Sequence, residues 1–288
     1  MKRTVFILMT ISLLACKKGI AQEKTFNEVI KKELAFQSNN NESTLVITNV
    51  FGPITVTGYS GDQVRLEVKR EIFADDAQKL ELGKSELQLK VSQNGDTIVL
   101  RPDAPYIQYN QKGLTFNWCN DYEEPEYQHK LSFKVQVPKN VNLKVSTVND
   151  GDIEVSNTVG QYLKVNNING AIALNYVDGQ TDVHCINGSV DITYVNNPKE
   201  DSVYYALNGD INVSYQEALS AEVSFKSMNG ELFTDFDVAK QFTRTSKETK
   251  KSGKGKFKFE ATPVVQIGNG GVNFKFETLN GNVFLKKI

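Results

Sequence analysis

Apolar and polar positions along most of this chain follow one recurring figure. Two apolar residues stand one position apart. After a gap of two comes an apolar residue, then Asn-Gly, and apolar residues return two and four places after the glycine. Ile186-Asn187-Gly188 leads to Val190 and Ile192, and Leu207-Asn208-Gly209 leads to Ile211 and Val213. Leu163, Val165, Ile168, Ile172 and Leu174 fill the figure around Gly170, as do Val223, Phe225, Met228 and Leu232 around Gly230. It recurs at the C-terminus with Phe274, Phe276, Leu279, Val283 and Leu285 around Gly281. Near the start, Leu45, Ile47, Val50, Ile54 and Val56 surround Gly52, with Phe51 in place of Asn. The unit at Gly151 carries one extra residue. From Gly151 to Gly230 the glycines are 19, 18, 21 and 21 residues apart, a period that marks stacked structural repeats.

Alternating apolar residues predict strands with one buried face. Asn-Gly between strands first suggests a two-residue hairpin, because both residues tolerate positive φ. The phase opposes that reading: across such a hairpin Ile168 would face Ala171 and Asn167 would face Ile172, sending apolar residues to opposite faces. A chain that turns a corner at each Asn-Gly, with a bend or bulge in the gap of three, brings every apolar position of the figure inward. The expected fold class is therefore all-β, a β-solenoid of roughly 20-residue repeats. The seven marker glycines (Gly52, Gly151, Gly170, Gly188, Gly209, Gly230 and Gly281) are its structural corners. A meandering antiparallel stack is the alternative.

Outside the repeats the pattern changes. A first strand is expected around Val29–Phe36 and a short helix at Ala74–Leu82, with Asp75 and Asp76 near its positive end. Leu87, Leu89 and Val91 alternate, Asn94-Gly95 turns the chain, and Ile98 and Leu100 alternate back, which is a hairpin. Residues 104–130 lose the period and concentrate Tyr106, Tyr109, Phe116, Trp118, Tyr122 and Tyr127 among acidic residues. Such a segment is either a cap over the repeats or a contact surface for a partner. The domain layout that follows is a single domain over 22–288. It comprises a first unit at 41–69, a hairpin-and-helix insert at 70–130, the main array at 131–239, a flexible basic loop at 240–258 and a closing unit at 259–288.

The chain has 288 residues and a formal net charge of −1, long enough for a substantial core and without the positive balance that nucleic acid attracts. Only seven prolines and 23% charged residues oppose extensive disorder. Residues 1–21 read as an export signal: Lys2 and Arg3 precede an apolar run, Val5–Ala15, too short to span a bilayer. Two cleavage readings compete. Leu13-Leu14-Ala15-Cys16 resembles a lipobox, which makes Cys16 a lipid-anchored N-terminus. Gly19-Ile20-Ala21 instead fits cleavage before Gln22. Either way the expected location is outside the cytoplasm, in a bacterial cell envelope.

Candidate chemistry is sparse. The asparagines of the figure, such as Asn169, Asn208 and Asn229, read as corner residues whose amides bond between stacked units. Asp152, Asp210 and Glu231 follow their glycines, but Ala171 and Ser189 hold the same place elsewhere, so no ladder of calcium ligands results. Asp235 and Asp237 share a strand face without the marks of a glycosidase pair. His129 and His184 are the two histidines, and His184 beside Cys185 lacks the further ligands a metal needs. No catalytic, metal or cofactor-binding residue is assigned. Cys119 and Cys185 could pair after export, although nothing in the sequence favours it. The basic stretch Lys240–Lys258 reads as a solvated linker.

Val137-Pro138 followed by Leu143 to Ile153, together with the run of Asn-Gly units ending in Glu277-Thr278-Leu279-Asn280-Gly281, resembles the bacterial "putative adhesin" family of β-strand-repeat domains. The resemblance covers about residues 41–288 and implies an exported, envelope-associated β-solenoid with no catalytic residues to carry over. The function expected is a non-enzymatic adhesin-like or scaffold role toward an envelope protein or glycan. Tyr106, Tyr109, Phe116, Trp118 and Tyr122 are the candidate contacts. A carbohydrate-active enzyme acting on a polysaccharide and an envelope stress-sensing component are the alternatives.

Overall fold

A computed structural model describes residues 23–38, 41–109, 116–118, 124–249 and 257–288. Residues 1–22, on which the expected export signal and Cys16 fall, and also Cys119 and Tyr122, lie outside the described residues. Before the repeats come β1 (Lys24–Ala35), β2 (Thr44–Thr48), β3 (Ile54–Tyr59), β4 (Gln63–Ala74), α1 (Ala77–Glu86), β5 (Gln88–Asn94), β6 (Thr97–Asp103), β7 (Ile107–Tyr109), β8 (Phe116–Trp118) and β9 (Gln128–Pro138). The repeats supply β10 (Asn142–Thr147), β11 (Ile153–Ser156), β12 (Tyr162–Asn169), β13 (Ile172–Val177), β14 (Gln180–Asn187), β15 (Val190–Tyr194), β16 (Ser202–Asn208), β17 (Ile211–Tyr215), β18 (Ala221–Lys226) and β19 (Leu232–Thr234). Last come β20 (Val238–Thr249), β21 (Phe257–Ile267), β22 (Val272–Asn280) and β23 (Val283–Lys287). The fold is all-β, with one helix among the described residues.

Two large sheets carry these strands. One runs β1-β4-β9-β3-β11-β13-β15-β17-β23-β19, the other β20-β21-β18-β22-β16-β14-β12-β10-β2-β6-β5. Within the repeats, the Asn-Gly at Gly170, Gly188, Gly209, Gly230 and Gly281 passes the chain from the second sheet to the first, so the strands on either side of it are not hairpin partners. Within each sheet the repeat strands pair in parallel and in register. Ile153 meets Ile172, Ile172 meets Val190, Val190 meets Ile211, and Ile211 meets Val283. In the opposite sheet Val145, Val165, Val183, Tyr204 and Phe276 form a matching column. All ten side chains are buried. The period thus becomes stacked apolar columns facing each other across one core, the main source of stability in such a fold.

Tyrosine enters this core by satisfying its own polar atoms. Tyr194, Tyr204 and Tyr215 are fully buried, and their hydroxyls bond to one another at 2.8 and 3.1 Å. Tyr204 stacks on Phe276 at 4.5 Å, and Tyr215 stacks on Phe274 at 5.3 Å. A buried hydroxyl without a partner would instead be a net cost.

Several expectations are corrected. The figure has no bend in its gap of three. Leu163, Val165 and Asn167 all point inward in strict alternation, so the apolar residue just before Asn-Gly points outward. Ile168 is 42% exposed and Met228 77%. Phe225, expected in the core, is only half-buried at the edge of it. The basic stretch is not all loop: residues 240–249 and 257–258 lie on β20 and β21, which pair antiparallel from Val238↔Ile267 to Thr249↔Phe257, and residues 250–256 fall outside the described residues. The closing unit is not at the end of the stack: β22 lies between β16 and β18, and β23 between β17 and β19. The hairpin β20–β21 carries the chain back and lets its last strands fill that slot. The helix begins three residues later than expected, because Asp76 caps it by accepting from the Lys79 backbone N–H at 2.9 Å. The hairpin β5–β6 does turn at Asn94-Gly95, with Gly95 at φ 57°.

Candidate functional site

The corners come first, because they set what the outer face presents. An inward polar side chain three residues before Gly170, Gly188 and Gly281, and four before Gly151, binds corner carbonyls, while Ala206 fills the place before Gly209. Thr147 Oγ1 donates to the Gly52 oxygen at 3.0 Å, and Asn167 Nδ2 to those of Gly151 and Ala171 at 3.1 Å each. Cys185 Sγ contacts the Gly188 oxygen at 3.3 Å, and Thr278 Oγ1 donates to the Gly281 oxygen at 2.8 Å. These hydrogen bonds give the corner carbonyls a side-chain donor from beneath the turn. Cys185 is a buried free thiol whose pKa burial pushes up to about 11, an unreactive core residue.

The asparagines before the glycines form a continuous amide ladder. Asn169 Nδ2 donates to Asn149 Oδ1, Asn187 to Asn169, Asn208 to Asn187, Asn280 to Asn208 and Asn229 to Asn280, all between 2.7 and 2.9 Å. The acidic residues after the glycines are tied down as well. Asp152 Oδ1 accepts from the Ala171 N–H, and Asp210 Oδ1 from the Asn282 N–H, each at 2.7 Å. They are corner acceptors. Among the described residues no group of three or more metal-ligating side chains converges.

Beside the ladder, on the outer face of the second sheet, the outward apolar residues line up: Val148, Ile168, Ile186, Leu207, Leu279 and Met228. Their register follows from the pairs on either side, Cys185↔Ala206 with Asn187↔Asn208, and Ala206↔Thr278 with Asn208↔Asn280. At about 4.8 Å per strand the stripe is about 24 Å long. Met228, Leu279, Leu207 and Tyr205 border a hollow of about 180 Å³ at one end. Along its flank, Asp182 bridges Lys164 at 2.5 Å and His184 at 2.9 Å. Those two bonds, His184 foremost, hold the Asp182 carboxyl down at about 2. Strict odd–even counting from Leu163 would have found this stripe in the sequence.

The aromatic insertion behaves differently from expectation. Tyr106, proposed as an exposed contact, is only 2% exposed. Its ring packs against Tyr127 and its hydroxyl meets His129 Nδ1 at 3.1 Å, so it belongs to the core. Tyr109 is half-buried: its hydroxyl donates to the Pro102 oxygen at 2.7 Å and the Arg101 guanidinium lies 4.1 Å over its ring. Burial raises its pKa. Phe116 and Trp118 lie on β8, paired with β7 at Tyr109 and Ile107. Their side chains, like Tyr122, fall outside the described residues.

A cleft of about 1110 Å³ opens beside this insertion. Phe51, Tyr106, Tyr127 and His129 line it, together with five carboxylates, Glu23, Asp75, Glu124, Glu126 and Asp150, and one ammonium, Lys130. His129 is 8% exposed, and burial pushes its pKa down to about 4. Its Nε2 is sealed from solvent and has no hydrogen-bond partner. The sequence showed this histidine only as one of two without a cluster, because its partners come from positions 51, 106 and 127.

The chain belongs to the Toastrack DUF4097 family, whose model matches residues 132–275. No curated protein matches it. Among solved structures it is similar to a "putative cell adhesion protein" from Clostridium sporogenes ATCC 15579, at 10% identity and TM-score 0.39, over 92% of this chain and 100% of that one. A "putative adhesin" from Bacteroides fragilis NCTC 9343 gives 9% identity and TM-score 0.37, over 91% of this chain and 97% of that one. A "putative lipid binding protein" from Parabacteroides distasonis ATCC 8503 gives 10% and 0.27, over 91% and 96%.

Proposed function

We propose that this Toastrack protein is an exported, non-enzymatic component of the bacterial cell envelope. In this reading it is a single-domain β-solenoid that acts as an adhesin-like scaffold. Parallel, in-register strands alternating between two sheets support the solenoid reading. The observation that carries the functional reading is the outer stripe from Val148 to Met228. These apolar side chains lie outside the core, in line, on a face held rigid by the asparagine ladder. Ile168 and Met228 are exposed and the other four half-buried, and apolar surface aligned in this way on an outer face supports an interaction site. A rigid array also presents it without an ordering cost on binding.

The test uses beads coated with purified chain and incubated with envelope preparations from the native organism. Ile168→Glu with Met228→Glu should abolish retention while leaving the melting temperature nearly unchanged, since both residues are exposed. Equal retention by the variant, or none by the wild type, would overturn the reading. Release of oligosaccharides from envelope polysaccharide would replace it with a carbohydrate-active enzyme.

A further inference from the structure

Seven Asn-Gly pairs occur in the chain, at Asn94, Asn169, Asn187, Asn208, Asn229, Asn269 and Asn280. The pair brings a chemical reactivity along with a turn. The glycine backbone nitrogen can attack the asparagine side-chain carbonyl carbon, because glycine has no Cβ to block the approach. A C–N bond forms as the Cγ–Nδ2 bond breaks, and ammonia leaves with the glycine N–H proton. Water then opens the five-membered imide at either carbonyl, giving an aspartyl or an isoaspartyl residue. The nitrogen must be free to lose its proton, and the asparagine must rotate about ψ and χ1 until nitrogen and Cγ meet. A fold that fixes these groups stops the reaction until that region opens locally.

The corner stack fixes them at four pairs. The Gly170, Gly188 and Gly209 N–H groups donate to the Asn187, Asn208 and Asn280 backbone oxygens at 3.0, 3.0 and 2.9 Å, and the Gly281 N–H to the Asn229 oxygen at 3.1 Å. The side chains of Asn169, Asn187, Asn208 and Asn280 each donate one amide bond and accept another. At Asn269 the Gly270 N–H is tied to the Ile267 oxygen at 3.2 Å. Asn229, at the end of the ladder, still gives its amide to Asn280 at 2.8 Å, and its backbone N–H and oxygen are bonded to Leu279 and Gly281.

Asn94 lacks these restraints. It ends β5, at the tip of a hairpin whose outer strand is the edge of the second sheet. Asn94 and Gly95 are both exposed, and among the described residues neither the Asn94 side-chain amide nor the Gly95 N–H has a protein partner. A Cβ added at Gly95 would meet nothing within 4 Å, so the space around the tip is open. The backbone of Asn94 is held through the pair Asn94↔Thr97, which closes the hairpin, and exposed tips of this kind open at little cost.

We propose that Asn94 is the site at which the folded chain is modified, by conversion to aspartyl and isoaspartyl, and that the asparagine ladder holds the corner pairs against the same reaction. An isoaspartyl link inserts an extra methylene into the main chain where the hairpin closes. The bonds from the Gln93 amide to the Ala35 oxygen at 3.1 Å and from the Ser38 N–H to Asp96 Oδ1 at 2.7 Å flank that point. The modification therefore loosens the tie between this hairpin and the end of β1.

The test is peptide mapping by mass spectrometry of the purified full chain, held for days in mildly alkaline buffer with and without unfolding urea. In the folded chain Asn94 should convert at least about 10-fold faster than any of the four ladder asparagines, a factor equal to about 1.4 kcal/mol of local opening. Isoaspartyl methyltransferase should label the peptide that contains Asn94, and Asn94→Gln should abolish that label with little change in melting temperature. In urea the seven sites should converge to within a few-fold, since glycine follows each. Ladder asparagines converting as fast as Asn94 in the folded chain would overturn the proposal, as would Asn229 or Asn269 leading instead. A ranking that survives in urea would overturn it too, because local sequence and not the fold would then set the rates.

Discussion

Replacing Gly209 by alanine tests the stacking of the corners directly. Gly209 has φ 151°, and a Cβ there would lie 2.1 Å from the Gly188 carbonyl oxygen and 2.6 Å from its carbon. The neighbour cannot yield cheaply, because it is backbone held on both sides. Gly188 N–H donates to the Asn208 oxygen at 3.0 Å and Gly209 N–H to the Asn280 oxygen at 2.9 Å. Separating the two corners would also stretch the Asn187–Asn208 amide bond of 2.9 Å. An unfavourable φ costs about 1–3 kcal/mol and a backbone overlap that must be relieved adds about 1–3 more. Gly209→Ala should therefore cost about 3–5 kcal/mol, which lowers the melting temperature by about 6–20 °C in a domain this large. The control is Gly95→Ala. Gly95 has φ 57° but nothing within 4 Å of the added methyl, so only the conformational cost of about 1–2 kcal/mol remains. Both variants are followed by circular dichroism on heating and by urea titration. If Gly209→Ala melts with the wild type, or no lower than Gly95→Ala, steric stacking of the corners is wrong.

Three further outcomes are expected. Ile172→Ala, Ile192→Ala and Ile211→Ala should each cost about 2–5 kcal/mol. Ile168→Ala should stay within about 0.5 kcal/mol, and comparable losses at Ile168 in urea titrations would refute the outward register. His129 should make stability fall with acid. With its folded pKa depressed to about 4, the unfolded chain binds a proton that the folded chain does not, between about pH 6.5 and pH 4. The contribution is thus complete above pH 6.5 and lost as pH falls to 4, about 2–3 kcal/mol in all. The titratable groups facing it are the Tyr106 and Tyr127 hydroxyls, Lys130 and the carboxylates of Asp75, Glu124, Glu126 and Asp150. His129→Gln should flatten the urea midpoint against pH, and an unchanged slope would count against the assignment. Mass spectrometry of the native N-terminus should find acylated Cys16, and a chain starting at unmodified Gln22 would reject the lipid anchor while keeping export.

The all-β class was readable because the repeat wrote each column of the core as one alternating position: Ile172, Val190 and Ile211 could face only one way. The corner glycines were readable for the same reason, since Asn-Gly recurs at most corners where the repeats pass from the second sheet to the first. The gap of three misled, because alternation does not require every inward residue to be apolar. Thr147, Asn167, Cys185 and Thr278 are inward yet serve carbonyls, which displaced the inferred bend and hid the outer stripe. Strand order was not legible at the C-terminus. Nothing local in Phe274–Ile288 says that it pairs with Ser202–Tyr215 on one side and Ala221–Thr234 on the other. The cleft was invisible for a similar reason. Phe51, Tyr106 and His129 converge through strand pairing across long sequence separations, which no single-chain pattern records.

The slot taken by β22 and β23 bears on how the chain is made. A stack assembled in chain order could close one unit at a time as it emerges from the ribosome. Here Asn280 bridges Asn208 and Asn229, so the strands of 202–215 have no neighbour on one side until residues 272–287 exist. Residues 272–287 are the keystone of the distal half. A chain that loses only its final twenty residues would keep every unit of 140–234 and still fall open in the middle of both sheets.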